Sequence, residues 1–389
     1  MIPALRQRFN AEYSEAKYRT FLDLVEKGCG MAPAFRHCET PCFFPADLMA
    51  RMADYGREML VSLVGDAGYL TEAAETVPEA YRVARPDAKP LFAQVDFGLT
   101  ADAEPKLVEI QGFPSLYAYQ PFLAQCYREA YALGDDLPTL LGGLDTEGYA
   151  RTLRTAIVGD HDPANVVLLE IDPYRQKTLP DFLLTERMCG LKIVSLQDVR
   201  QIGRRLFYPE GDRLVPIERI YNRVIVDELT RMKLTSPFDF RADLDVEWAG
   251  HPDWYFKISK FSLPYLRHAA VPRTEFLDRL ATLPNDLDNY VLKPLFSFAG
   301  LGVVIGPTRA EIEAISDRSQ YILQERVDFA PLIETPHGPT KAEVRMMYLW
   351  QGDEPVAVTS LIRMGRGKML GVDQNRDAQW VGASAGFLT

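Results

Sequence analysis

Long apolar runs are missing from this chain: nowhere do the roughly 18 consecutive apolar residues of a membrane-spanning helix occur. Excess positive charge is missing as well. Lys and Arg number 43 against 54 Asp and Glu, a formal net charge of -11. Nucleic-acid and membrane-surface proteins advertise basic patches, so neither partner is expected, although a local basic pocket for an anionic ligand stays open. The opening Met1–Asn10 has no apolar core and no cleavage site, which predicts no secretory signal. Cysteine is scarce and odd in number, at five, which fits a reducing cytoplasm better than a disulfide framework. Cys29, His37, Cys38 and Cys42 lie close in sequence, but their spacing matches no zinc pattern and no second Cys/His pair follows, so they read as ordinary thiols in a loop. Internal repeats, low-complexity segments and the Walker A pattern G-x-x-x-x-G-K-[ST] are absent. No plausible Ser/His/Asp or Cys/His arrangement stands out either.

What is present is ordinary globular material, 47% hydrophobic and 25% charged over 389 residues, enough for about two or three structural domains. The first hundred residues or so read as mainly helical. From Pro45, Leu48, Met52, Tyr55 and Met59 recur at helical spacing toward a stop at Gly65. Leu91–Phe97 and Leu107–Ile110 read as strands joined by the turn-like stretch Thr100–Pro105. From Ala150 strands alternate with a helix: Val166–Leu169, helix Pro180–Cys189, Lys192–Val194 and Arg219–Ile225. That rhythm predicts a parallel sheet with helices on its faces. Asp243–Asp253 reads as a connector, followed by a helical segment carrying Lys260. Strands are then expected at Ser319–Val327, Lys341–Leu349 and Val356–Ile362.

Three stretches carry chemistry. Tyr290–Gly306 reads as a strand ending in Lys293, a loop with Gly300 and Gly302, and a second strand at Val303–Ile305. Glycines let backbone approach a ligand closely, and successive N–H groups with a lysine suit a polyphosphate. A plain hairpin with a snorkelling lysine is the alternative. Asp96 near the end of one strand, with Glu109 and Gln111 on one side of the next, forms a hard-oxygen set suited to Mg²⁺ held against phosphates. A solvated strand face is the alternative there. Arg363–Ser384, rich in Gly, Asn, Asp and Gln and containing Arg366, Lys368, Asp373 and Asn375, reads as a surface tail or as a lid that closes over an anion.

In this order the motifs resemble the ATP-grasp superfamily, in the circularly permuted branch of eukaryotic-type glutathione synthetase, with glutathionylspermidine synthetase domains as a second relative. The likeness runs from about Phe92 onward. It implies an α/β (α+β) ATP-grasp fold with an inserted small parallel-sheet substrate domain and a lid. The divisions would be 1–150, a helical region plus metal-binding strands; 151–240, the insert; and 241–389, the nucleotide-binding subdomains with the lid. Lys260 and Lys293 resemble the ATP lysines, and Gly300 and Gly302 the phosphate-covering loop. Tyr321–Val327, with Gln324, Glu325 and Val327, is similar to the adenine hinge. Asp96, Glu109 and Gln111 stand at the Mg²⁺ positions, and Arg366-Gly-Lys368 resembles the closing loop, with Arg366 on a substrate carboxylate and Lys368 on a phosphate. Val381–Gly386 is similar to the stretch ending the lid. Ser115 and Arg223 fall at substrate positions, and Val167–Thr178 resembles the inserted domain.

Three departures accompany the likeness: Gln111 replaces an asparagine, Ser297 a glutamate and Gln94 an arginine. The resemblance therefore carries the nucleotide chemistry but not the glutathione precursor. It implies an ATP- and Mg²⁺-dependent, cytoplasmic carboxylate–amine ligase acting through an acyl phosphate, with Lys293, Arg366 and Lys368 as catalytic groups. Its partners would be a small-molecule or peptide acid and an amine, with a homodimer left open. The alternatives are a catalytically silent nucleotide-binding relative, a phosphotransferase that needs no amine, and a scaffold that binds no nucleotide.

Overall fold

Helix dominates the start of the chain. The computed structural model describes residues 1–389 apart from Pro86, Phe298, Ala299 and residues 372–377, and leaves aside the Asp227 side chain. Helices α1 (Pro3–Glu12) and α2 (Glu15–Cys29) lead to strand β1 (Cys42–Phe44). α2 starts where the Ser14 hydroxyl accepts from the Lys17 backbone N–H and stops at Gly30, whose φ of 79° is the left-handed turn that ends helices. α3 (Ala46–Gly65) buries Leu48, Met52 and Met59, as their spacing predicts. Asp66 then caps α4 (Ala67–Glu75) directly.

β2 (Phe92–Leu99) and β3 (Pro105–Gln111) follow, then α5 (Tyr119–Tyr131) and α6 (Thr146–Val158). Next come β4 (Val166–Glu170), α7 (Leu179–Cys189), β5 (Lys192–Ser195), β6 (Arg200–Ile202), β7 (Arg205–Glu210), β8 (Arg213–Ile217), β9 (Arg219–Asn222) and β10 (Glu247–Ala249). The remaining strands are β11 (Thr274–Phe276), β12 (Tyr290–Pro294), β13 (Val304–Ile305), β14 (Tyr321–Glu325), β15 (Lys341–Gln351), β16 (Glu354–Gly365), β17 (Gly382–Ser384) and β18 (Gly386–Leu388). The chain is thus mixed α/β. Among the described residues no helix is long and apolar enough to cross a membrane.

The central sheet has the order β17-β16-β15-β2-β3 and is antiparallel throughout. Strand alternation gives it two unlike faces. Val95, Phe97, Ile110, Val344, Met346, Ile362 and Met364 share a core with Leu48, Met52 and Met59 of α3. Tyr348 donates its hydroxyl hydrogen to Ala53 O at 2.8 Å, and a Cβ at Gly56 would collide with that hydroxyl. The opposite face carries Gln94, Asp96, Glu109, Gln111, Glu343, Arg345 and Arg363, and it is the floor of the site below.

A second sheet, β10-β9-β4-β5, is parallel, as the strand–helix rhythm predicts. Its fourth strand comes from the stretch read as a connector; three residues are too few to show a period. The antiparallel sheet β6-β7-β8 is likewise an addition to that reading. The division drawn at 150 falls inside α6, and that at 240 leaves β10 outside the sheet it completes. A four-stranded sheet, β11-β14-β12-β13, holds the glycine hairpin.

The segment read as a surface tail or a lid, Arg363–Ser384, starts on β16 and ends on β17 of the central sheet, and β18 follows it. β18 pairs in parallel with β1, matching Cys42 to Gly386 and Phe44 to Leu388. Cys29 and Cys42 close a helix and open a strand rather than sit in a loop, and all five thiols are free and buried. Phe387 is fully buried, 6.1 Å from Phe43 between ring centres. Phe387→Ala is expected to destabilise the chain by about 3–5 kcal/mol through the cavity it leaves. Denaturant unfolding checks this, and a loss under about 1 kcal/mol would mean that the terminal strand does not hold the N-terminal helices.

Candidate functional site

An irregularity in the β2–β3 pairing starts the site. Asp96 pairs with Glu109 but Phe97 with Leu107, so Val108 is an extra residue, a bulge. Its carbonyl, freed from the ladder, accepts from Lys293 Nζ at 2.8 Å. Lys293 lies on β12 and also donates to Gln324 Oε1 on the neighbouring β14, at 2.5 Å. Burial pushes the Lys293 ammonium down to about 8, and Glu109 pulls the other way.

Lys260 opens a short 3₁₀ turn, Lys260–Tyr265, fixed by a reciprocal Ser259–Ser262 cap. It is 4% exposed, and its Nζ donates to Glu109 Oε1 at 2.8 Å and to Ser297 O at 2.7 Å. One lysine therefore fastens the glycine loop to the central sheet. Burial works against the Glu109 charge, but Lys260 outweighs it and holds the carboxyl below its ordinary range. Gly300 and Gly302 have φ of 75° and 73°, the left-handed region that favours glycine. A Cβ on Gly300 would sit 3.0 Å from Met369 Cε, so this loop touches the segment read as a lid. The Ser297 hydroxyl and the Gln324 amide nitrogen are buried without a partner among the described residues.

Asp96 is held differently. Arg345 Nε and Nη2 donate to its two carboxylate oxygens at 2.5 and 2.6 Å, and Arg363 Nη1 adds a third bond at 3.2 Å. Burial opposes the charge, yet the two guanidiniums win and hold the Asp96 carboxyl low. Arg345 Nη1 also donates to Gln94 Oε1 at 2.9 Å, and the Gln111 amide reaches within 2.8 Å of the same guanidinium. Arg363 bridges to Glu343, whose carboxyl burial pushes up against the pull of Arg363.

These donors do not fit a magnesium ion. Mg²⁺ needs oxygen lone pairs turned toward an open position. Both Asp96 oxygens are taken by guanidiniums, and one Glu109 oxygen by Lys260. Among the described residues no group of three or more His, Cys, Asp or Glu could hold a metal. An anion fits better, since Lys260, Lys293, Arg345 and Arg363 face only Asp96, Glu109 and Glu343 in this cluster.

Of the remaining expected positions, Glu325, Val327, Arg366 and Lys368 lie apart from that cluster. Glu325 is exposed at the end of β14, with its backbone N–H given to Arg273 O, and Val327 lies just beyond the strand. Arg366 donates to Gln379 O at 2.6 Å and to Thr335 Oγ1 at 3.1 Å, while Lys368 is exposed. No hydrogen bond or ion pair among the described residues joins either to the charged floor. Asp373 and Asn375 lie outside the described residues. Ser115 is tied to the floor, because its carbonyl accepts from Gln94 Nε2 at 2.8 Å.

Arg223 stands apart from that cluster, at the parallel sheet. In the parallel sheet the order reverses between β4 and β9, the place where open α/β sheets take ligands beyond their strand ends. Arg223 follows β9 there, 2% exposed, with its guanidinium 4.8 Å above the Phe113 ring. Its Nε and Nη1 have no partner among the described residues. Glu170 ends β4, and burial pushes its carboxyl up to about 7 against the pull of Arg223.

Arg345, Arg363, Glu343 and Glu170 escaped the reading of the sequence. Glu343 and Arg345 had a signal: with Lys341 they alternate with apolar residues along one strand, and such charges share a face.

The depressed Lys293 gives the site a pH dependence with a definite sign. The ammonium is present below about pH 8 and lost above it. Affinity for an anion such as inorganic triphosphate should fall as pH rises from about 7 to about 9.5, approaching tenfold per unit at most, and Lys293→Arg should flatten the profile. Calorimetric titration across that range checks this, and an equal slope in both proteins would refute it. No protein-family model matches the chain, and no curated protein matches it.

Proposed function

We propose that this chain is an ATP-binding protein of the ATP-grasp type acting as a carboxylate–amine ligase. The observation that carries the reading is the convergence of Lys260, Lys293 and Gln324 under the glycine loop, beside strand-borne Glu109. Two buried lysines fixed from different elements favour a bound polyphosphate by preorganised charge. In the reaction a substrate carboxylate oxygen attacks the γ-phosphorus and ADP leaves. An amine nitrogen then attacks the acyl carbon, the C–O bond to phosphate breaks, and the amine gives up a proton.

No protein nucleophile is needed. The work of the chain is to position reactants, neutralise charge and exclude water. Lys260 and Lys293 would neutralise phosphate oxygens, with Ser297, Gly300 and Gly302 beside them. Arg223, with N–H groups that have no partner among the described residues, beside Glu170, supports recognition of an acidic group on the acid or amine substrate.

A second reading, a catalytically silent nucleotide-binding relative, is favoured by the double guanidinium hold on Asp96. Turnover separates the two readings. With an ATP analogue, calorimetry should give micromolar binding that Lys293→Met and Lys260→Met each abolish while the melting transition persists. Screening acid–amine pairs for ADP release then tests the ligase. Each lysine should matter by about 2.7–4 kcal/mol in the barrier. Unchanged binding in both variants would sink the site assignment.

A further inference from the structure

We infer that the Gln324 side chain is a ligand-binding group, its amide nitrogen donating to an anionic oxygen of the same phosphate chain that Lys293 neutralises. The inference rests on the polyphosphate reading above and adds a specificity-determining residue to it. β14 then gives the ligand a side chain, beyond the part expected of it as an adenine hinge. Gln324 is 2% exposed, and β14 is hydrogen-bonded to β11 on one side and β12 on the other, so two ladders fix its backbone. It pairs with Val291, two positions before Lys293 on β12, and the two-residue period of strands sets both side chains on one face of this sheet.

The neighbour decides how the amide is turned. A lysine ammonium has hydrogens to give and no lone pair, so the Gln324 oxygen is the atom that faces Lys293 Nζ. The nitrogen, on the same carbon, lies beside that ammonium with two hydrogens and no acceptor among the described residues. Native chains keep few buried donors in that condition, because leaving one unmet is destabilising. Lys293 gives two of its three hydrogens, to Val108 O and Gln324 Oε1. Lys260 likewise gives two, to Glu109 and Ser297 O, and the Ser297 hydroxyl is a further buried group without a partner among the described residues. What the cluster lacks is acceptors, and a phosphate chain consists of them. Bonds from these donors to charged oxygens are stronger than neutral ones. A metal ion or a substrate ammonium would meet hydrogens at this position, so the same arrangement disfavours cations. Unlike Lys293, the amide carries no charge to lose and keeps its donors as pH rises.

The test is calorimetric titration of inorganic triphosphate into the intact protein and into Gln324→Met, at about pH 6 and about pH 8.5. Methionine keeps the length of the side chain and removes the amide. A direct bond to phosphate predicts an affinity loss of about tenfold or more at both values. A loss that vanishes at about pH 6, where Lys293 is charged in either protein, would make Gln324 only a support for that charge and overturn the inference. A non-hydrolysable ATP analogue should lose affinity by the same factor as triphosphate. A loss confined to the analogue would put the amide against the base and overturn the assignment to phosphate. Wild-type protein that binds neither compound overturns the polyphosphate reading and this inference with it. The side-chain amide NMR signals of Gln324 in the wild-type protein give a readout that needs no variant. They should move on addition of triphosphate, and signals that stay in place while triphosphate binds overturn the inference but leave the lysine site standing.

Discussion

The buried bidentate bond between Arg345 and Asp96 governs how the central sheet is used. A carboxylate placed 2% exposed in a sheet would be costly alone, and removing one partner of such a pair costs about 3–5 kcal/mol. Pairing β2 with β15 in the observed register sets the two residues opposite each other, and a one-residue slip would send Arg345 into the methionine-rich core beneath. The polar floor and the apolar underside therefore specify the same register. Gln94 extends the arrangement, accepting from Arg345 and donating to the Ser115 carbonyl, so the ion pair also helps to fix the loop that leaves β3.

Around this floor other elements contribute single, well-anchored groups. The Val108 bulge offers a carbonyl to Lys293, and Lys260 joins the floor to the glycine loop through Glu109 and Ser297. Because these lysines sit on a strand and a capped turn, their charge is in place before any ligand arrives. Positioned charge of this sort is what phosphoryl chemistry asks of a protein. The parallel sheet brings a different offering, an arginine whose Nε and Nη1 have no partner among the described residues, beside an acid that burial pushes up to about 7.

The N-terminal helices have a structural part in this. β1 pairs with β18, the Trp380 backbone N–H donates to Glu39 at 2.7 Å, and Tyr18, Tyr127 and Tyr131 hydroxyls donate to backbone carbonyls of residues 37–39. Both ends of the segment between β16 and β18 are thereby held, one by the central sheet and the other by residues from the start of the chain.

Local pattern alone determined much. Helical spacing marked α3, the strand–helix rhythm marked the parallel sheet, and glycines after a strand-end lysine marked the hairpin with Lys293. The side-by-side placing of Glu109 and Gln111 followed from a two-residue period. Tertiary structure alone decided what those groups face. Asp96 meets Arg345 across 249 residues of chain, and no periodicity reports a partner that distant. β10 and β6–β8 were illegible because short strands take their identity from their neighbours. A side chain's type and spacing say which face it joins, whereas its charge environment depends on which faces the fold brings together. That is why a set of oxygens suited to a metal became, in the folded chain, a seat for a guanidinium.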